Sequence, residues 1–381
     1  MLHRHFSSAN GFPPMQTRLI AILALLLLVL PHPASGFPIP TWMGAARNYV
    51  CQRVAAPPTI DGKLDDKAWA EVTWSQQFVD IEGHLKPAPN HETVCAMLWD
   101  DDYFYIAARM VEPHVNAILT QRDAVIYHDN DFEVFIDPDG DNHLYYELEI
   151  NALNTVWDLL LVKPYRDGAP AVNAWDIQGL RTAVHVDGTL NDPSDVDSGW
   201  SVEIAIPWQV LGQCAGRPSP PQAGNIWRVN FSRVQWQYDI VSNGYEKTID
   251  PKTGKTYPEH NWVWSPQGLI AMHCPENWGE VLFVGPDYDG DAEQAINTST
   301  EHASINIARA LMDVYYAQKQ HYEDFGEFAP TQNVLEKKYG LLLKEWEFEM
   351  EATPGRFMAK LNTPAGVMTV NEEGRLIRDP L

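Results

Sequence analysis

Glu133 and Glu149 are the residues best placed to do chemistry in this sequence. They stand in two short alternating runs, Asp131–Asp137 and Tyr145–Asn151, joined by Asp137-Pro138-Asp139-Gly140-Asp141-Asn142. If that turn closes a hairpin, the numbers of facing residues sum to about 282, which sets Glu133 opposite Glu149 on the polar face. Facing neighbours lie about 5 Å apart, near the separation that a retaining glycosidase uses. The same pair can instead contact a ligand or a cation, or remain two solvated acids. Arg233 is the basic residue available to bridge them, although its strand parity is ambiguous.

The turn itself offers a second chemistry. Asp137, Asp139, Asp141 and Asn142 supply hard oxygen donors within one short loop, as Ca²⁺ prefers. Their spacing imitates the start of an EF-hand loop, but Leu148 takes the twelfth position and no helices flank it. A structural Ca²⁺ is the cofactor expected here, with a solvated acidic turn as the alternative. His114, His128, His143 and His185 are scattered, without the spacing of a zinc hydrolase. No Gly-x-Ser-x-Gly elbow, phosphate-binding glycine loop or Cys-x-x-Cys pair occurs.

The elements that must carry these residues are short strands. Val94–Trp99 and Tyr103–Ala108 flank Asp100-Asp101-Asp102, a strong hairpin pattern. Further alternating runs follow at 182–186, 199–208, 227–233 and 278–283. Many short strands with frequent turns predict a mainly β chain, an antiparallel β-sandwich over residues 47–286. Composition changes after Asp287. Residues 293–322 place Ile305, Ala308, Leu311, Met312, Tyr315 and Tyr316 on one helical stripe, followed by strand-like pieces at 346–352, 357–361 and 367–371. Residues 293–381 therefore read as a small C-terminal α+β appendage.

At the other end, Arg18 precedes an apolar run over residues 19–30 and small residues at 34–36. That is the pattern of a secretory signal peptide over residues 1–36, and the run is short for a membrane span. The expectation is an exported protein that is secreted, periplasmic or at the cell surface. The formal net charge is −24, about −26 without that leader. Such an excess of acid argues against nucleic acid and anionic membranes as partners. Cys51, Cys95, Cys214 and Cys274 permit two disulfides in an exported chain, with free buried thiols as the alternative.

Several of these stretches recur together. Ile60-Asp61-Gly62-Lys63-Leu64-Asp65-Asp66, Leu98-Trp99-Asp100-Asp101, residues 131–137, residues 199–208 and Asn277-Trp278-Gly279 appear in one order. Together they resemble the carbohydrate-binding module family 9 domain, a β-sandwich related to the DOMON domains, across nearly all of 47–286. The resemblance implies a non-catalytic module that binds an oligosaccharide or polysaccharide and assists its capture or degradation. It implies structural calcium as well. In such modules a sugar lies between two tryptophans. By motif, the binding glutamate falls on Glu133 and the first ring near Tyr127-His128, where no tryptophan stands. An arginine of the family falls on Glu149, and the second ring belongs between Trp264 and Trp278, where Met272 and His273 are the substitutes. Trp69, Trp99, Trp200, Trp208 and Trp278, inside the recurring motifs, are expected in the core. Trp175 and Trp236 are the ligand-facing candidates. The carbohydrate-binding set is thus Tyr127, His128, Glu133, Glu149, Trp175, Arg233 and Trp236. Two alternatives stand beside it: a glycoside hydrolase using the carboxylate pair, and a haem-binding redox module drawing on Met97, Met110, His128 and Met272.

Overall fold

In the computed structural model of the chain, the described residues are 37–41, 46–242, 244–339, 348–363 and 366–379. The expected leader over residues 1–36 and part of the strand expected at 346–352 lie outside them. In chain order the first part contains β1 (Asn48–Arg53), α1 (Lys67–Ala70), β2 (Val79–Asp80), β3 (Thr93–Trp99), β4 (Tyr103–Val111) and β5 (Asp131–Asp137). Next come β6 (Tyr145–Asn151), β7 (Val156–Leu161), β8 (Ala171–Val172), β9 (Arg181–Asp187), β10 (Gly199–Pro207) and α2 (Trp208–Leu211). The part closes with β11 (Ile226–Gln235), β12 (Tyr238–Val241), β13 (Gly244–Lys247), β14 (His260–Val263) and β15 (Gly279–Val284).

One long sheet runs in the order β8-β7-β6-β5-β11-β15-β1-β3-β4-β10-β9, with β14 added on β11 and β2 on β14. It curls so that its two halves face each other across a single core. Phe132, Val134 and Ile136 of β5 and Trp227, Val229 and Phe231 of β11 meet Met97, Phe104, Ile106, Trp200 and Val202 from the other half. This is the expected sandwich, and it departs from pure antiparallel pairing at one strand. β1 runs parallel to both β15 and β3 and stitches the two halves together. Turn chemistry behaves as the sequence predicts: Asp100 Oδ1 accepts from the N–H groups of Asp102 and Tyr103, both at 2.8 Å, and closes the β3–β4 hairpin.

The tryptophans expected in the core are all buried, but not in one place. Trp99, Trp200 and Trp208 lie between the sheet halves. Trp69 belongs to a small outer cluster, where its indole donates to Glu203 Oε1 at 2.6 Å. Trp278 sits on the outer face of β5 and β6 with Phe135, Tyr145, Leu159 and Met272. That outer face is therefore covered along part of its length. All four cysteines are free thiols; Cys51, Cys95 and Cys274 are buried, so no disulfide supports this fold.

The appendage comprises α3 (Ala292–Asn297), α4 (Thr300–Phe325), α5 (Gln332–Tyr339) and the strands β16 (Glu349–Thr353), β17 (Arg356–Thr363), β18 (Gly366–Asn371) and β19 (Leu376–Asp379). The four strands form an antiparallel meander. Ser299 caps α4 by accepting from Glu301 N, and Gly326 ends it at φ 75°. The expected stripe is buried: Leu311, Met312 and Tyr315 pack on Phe357, Leu361, Met368 and Val370, while Ile305 joins Ile226, Leu282 and Val284 of the sandwich.

Candidate functional site

The β5–β6 hairpin has the register expected from its turn, with Glu133 paired to Glu149 and Asp131 to Asn151. Period-two alternation sends Asp131 and Glu133 of β5, and Glu147 and Glu149 of β6, to the same outer face. Trp157 of β7 stands beside Glu149, and Ser232 of β11 beside Glu133. All four acids are buried. One oxygen from each of Asp131, Glu133 and Glu149 lies within 4.8 Å of the others. Glu149 Oε2 accepts from Tyr127 N at 2.9 Å. Asp131 Oδ2 is buried and has no hydrogen-bond partner among the described residues.

Water is scarce here and negative charge is concentrated, so the protonated forms gain. Burial pushes Glu133 up to about 7. Burial, followed by the charge of Glu133, raises Asp131, Glu147 and Glu149 well above the ordinary carboxylate range.

Aromatic rings border the row. Tyr127 and Tyr165 remain 37% and 51% exposed, although each lies near the acids. Burial, then Glu149, raises the Tyr127 phenol, while burial, then Glu147 and Glu149, pushes Tyr165 up to about 12. His273 packs edge-on to Tyr165 with ring centroids 4.5 Å apart. Its Nδ1 shares a 2.9 Å hydrogen bond with the Tyr145 hydroxyl, and its Nε2 lies 3.9 Å from Glu147 Oε1. Burial, then Arg166, drives the His273 pKa down to about 3, so the ring is neutral at ordinary pH. The other edge is tied together by Trp236, whose indole donates to Tyr127 O at 2.8 Å. Lys247 lies 3.2 Å from the centroid of that indole and donates to His128 O at 2.6 Å.

The structure thus brings together Tyr127, His128, Glu133, Glu149 and Trp236. It does not bring Arg233 or Trp175 to them. Arg233 pairs with Phe132, on the opposite face from Glu133. There its guanidinium donates to Glu112 Oε2 and Thr93 Oγ1, both at 3.0 Å, and lies over the Trp262 ring. Parity, ambiguous in the sequence, makes Arg233 a buried structural residue. Trp175 stacks on Tyr146, which points into the core, and its indole donates to Gln213 Oε1. Conversely, Asp131, Glu147, Trp157 and Tyr165 enter the site without having been in the expected set, and His273, named in the sequence only as a substitute for the second ring, lies with them. Alternation could have found Asp131, Glu147 and Trp157, which share parity with the pair. Nothing local marks Tyr165, which arrives from a turn after β7.

The residues considered for haem separate. Met97 and Met110 lie in the sandwich core, Met272 lies in the outer cluster, and His128 sits at the rim beside Tyr127.

The acidic turn is not a free loop. Asp137 accepts from Gly140 N and Asn142 N, and the appendage closes over the turn. Arg375 Nε donates to Asp141 Oδ2 at 3.0 Å. Asn142 accepts from Arg228 Nη1 and donates to Gly374 O, so its amide is committed elsewhere and does not fit a metal ligand. Asp137, Asp139 and Asp141 still bring one oxygen each within 4.8 Å of the others, a span that oxygens bound to one Ca²⁺ at 2.3–2.6 Å can occupy. Burial, then Asp141, pushes Asp139 up to about 6, which an added cation would reverse.

Comparison with known proteins adds the family. Residues 60–282 match the family described as carbohydrate family 9 binding domain-like. Over 159 residues, 42% of this chain, it is 26% identical to exoglucanase XynX of Acetivibrio thermocellus and to endo-1,4-beta-xylanase A of Thermoanaerobacterium saccharolyticum. The match spans 12% of the length of each relative. Among solved structures, a carbohydrate binding module family 9 from Caldicellulosiruptor kristjanssonii, in complex with cellotriose, is similar with a TM-score of 0.39 and 16% identity. The likeness covers 64% of this chain and 96% of that one.

Proposed function

The chain belongs to the carbohydrate family 9 binding domain-like family, and from that premise we propose that it is an exported protein that binds an oligosaccharide or polysaccharide without cleaving it. Its place would be beside the enzymes that capture and degrade such polymers. The names of its relatives, an exoglucanase and a xylanase, support that setting. The observation that carries the reading is the outer face of β5, β6 and β7. Exposed Tyr127 and Tyr165, with Trp157, border a row of carboxyl groups. A pyranose offers C–H faces that rings can cover and hydroxyls that need acceptors at the edge, and this face supplies both. Among the described residues no helix is long and apolar enough to cross a membrane.

Hydrolysis is the second reading, favoured by the closeness of Glu133 and Glu149. A retaining enzyme needs one protonated and one ionised carboxyl. Here burial raises both, Glu133 to about 7 and Glu149 well above the ordinary carboxylate range, so the pair alone does not decide against hydrolysis and the assay does. Binding to an array of oligosaccharides, followed by assay of reducing ends, separates the readings. Retained affinity with intact glycan is expected; release of reducing sugar that Glu133→Gln abolishes would replace binding by hydrolysis.

A structural Ca²⁺ held by Asp137, Asp139 and Asp141 belongs to the same proposal. A ligand bound only to the native state stabilises it by mass action, so a chelator should lower Tm and Asp139→Ala should remove that sensitivity. Unchanged melting in the presence of chelator would leave the turn held by Arg228 and Arg375 alone.

A further inference from the structure

Three groups of close carboxylates occur among the described residues, and they differ in what neutralises them. In the first, Arg122 reaches into Asp123, Asp158 and Asp176 and forms ion pairs with all three. In the second, Asp141 is paired with Arg375, and Arg228 lies beside Asp137. The third, Asp131, Glu133 and Glu149, is the most buried, and among the described residues no lysine, arginine or histidine forms an ion pair with any member. Lys247, the base at the rim, donates to His128 O and caps the Trp236 ring instead. The neighbours add negative charge, since Glu147 follows on the same face of β6 and Glu259 lies near Glu133.

Nor do hydrogen bonds fill the gap. Glu149 receives one backbone N–H, from Tyr127. Asp131 is fully buried; its Oδ1 accepts only a long 3.4 Å bond from Val234 N, and its Oδ2 has no partner among the described residues. A buried acceptor without a donor costs on the order of one to three times the energy of an ordinary net hydrogen bond, and such groups are rare in native proteins unless something else binds there. Three oxygens on two adjacent strands, all within 4.8 Å, form one side of an oxygen cage of the size that Ca²⁺ takes at 2.3–2.6 Å.

We propose that Asp131, Glu133 and Glu149 bind a divalent cation of the Ca²⁺ class, and that this ion bridges the protein to hydroxyls of the bound glycan. The second half rests on the carbohydrate-binding reading above; the first half does not. A cation at this place converts a run of mutually repelling acids into a ligand set, and makes a sugar diol its natural further ligand.

Titration of the chelator-treated full chain with CaCl₂, followed by calorimetry, tests the metal. The wild-type isotherm should contain a component that Asp139→Asn retains and that Glu149→Gln and Asp131→Asn each weaken by roughly tenfold or more, since charge count sets affinity in such sites. In chelator both of these variants should melt above the wild type, because each replaces an acid whose charged form the buried site disfavours, and this also shows that they fold. Equal CaCl₂ binding in wild type and both variants would overturn the site. Uptake of glucosamine hydrochloride by the same acids, with none of CaCl₂, would overturn it in favour of an amine pocket. For the bridge, glycan affinity should fall with chelator and return with CaCl₂. Affinity unchanged by chelator would sink the bridge while the carbohydrate reading stood, whereas CaCl₂ binding with no glycan bound under any condition would sink the carbohydrate reading and leave the metal.

Discussion

Tyr127 and Tyr165 present large rings to solvent beside acids that are themselves buried, an arrangement that packing alone does not require. An aromatic contact is worth about 0.5–1.5 kcal/mol beyond area burial. Tyr127→Ala and Tyr165→Ala should therefore each weaken glycan binding by up to about tenfold, read by calorimetry, with little change in Tm. Arg233 should behave oppositely. Its removal takes the ion-pair partner from buried Glu112 and leaves it only the longer bonds from His114 N and Asn130 Nδ2, so Arg233→Met should cost about 3–5 kcal/mol in denaturant unfolding and leave glycan affinity untouched. A lost affinity with normal stability would return Arg233 to the site. His273 gives a pH signature. Its folded pKa of about 3 lies below the unfolded value near 6.5, so the unfolded chain takes up a proton first as pH falls. The stability it contributes is complete above pH 6.5 and is lost between there and about 3. In His273→Gln the fall of Tm across that window should be shallower than in the wild type.

At the scale of elements, the β5–β6 hairpin and α4 are both legible in the amino-acid pattern. The turn after Asp137 sets the register, and the register sets Glu133 against Glu149. In α4 the stripe from Ile305 to Tyr316 names the buried face, while Gly326 names the stop. The left-handed conformation of Gly326 costs other L-residues about 1–2 kcal/mol, so Gly326→Ala should lower unfolding free energy by that amount. No change would mean that α4 ends by fraying. The helix has a second set of contacts that its stripe does not announce. Tyr315 donates to Asp167, Tyr316 donates to Glu276, and His302 and Arg309 both reach Glu280 on β15.

For the whole molecule, those contacts make the appendage part of the sandwich's own support. Without it Ile226, Leu282 and Val284 lose the cover of Ile296 and Ile305. Glu280, which is buried, loses both of its basic partners, and the turn at Asp137–Asn142 loses Gly374 and Arg375. A chain ended at residue 286 should melt lower than the full chain and tend to associate through the uncovered strands. Equal melting temperatures would show that the two parts are independent.

Much of this protein follows from local rules. Alternation with period two assigns Glu133, Glu149 and their neighbours to one face, turn residues close the hairpins, helical spacing marks α4, and the recurring motifs supply the family. Those rules act over a few residues and are indifferent to what arrives from elsewhere. The outer face of β5 and β6 reads as open to water, yet Trp278 and Met272 cover one end of it and the acids along it are buried. The parity of Arg233 depends on how β11 pairs with β5, a contact between residues about a hundred positions apart. Tyr165 reaches the site, and Arg375 the acidic turn, only because the chain folds back on itself. Periodicity can state which residues share a surface; only the three-dimensional packing decides what lies above it, and hence whether a carboxylate meets water, a base or a ligand.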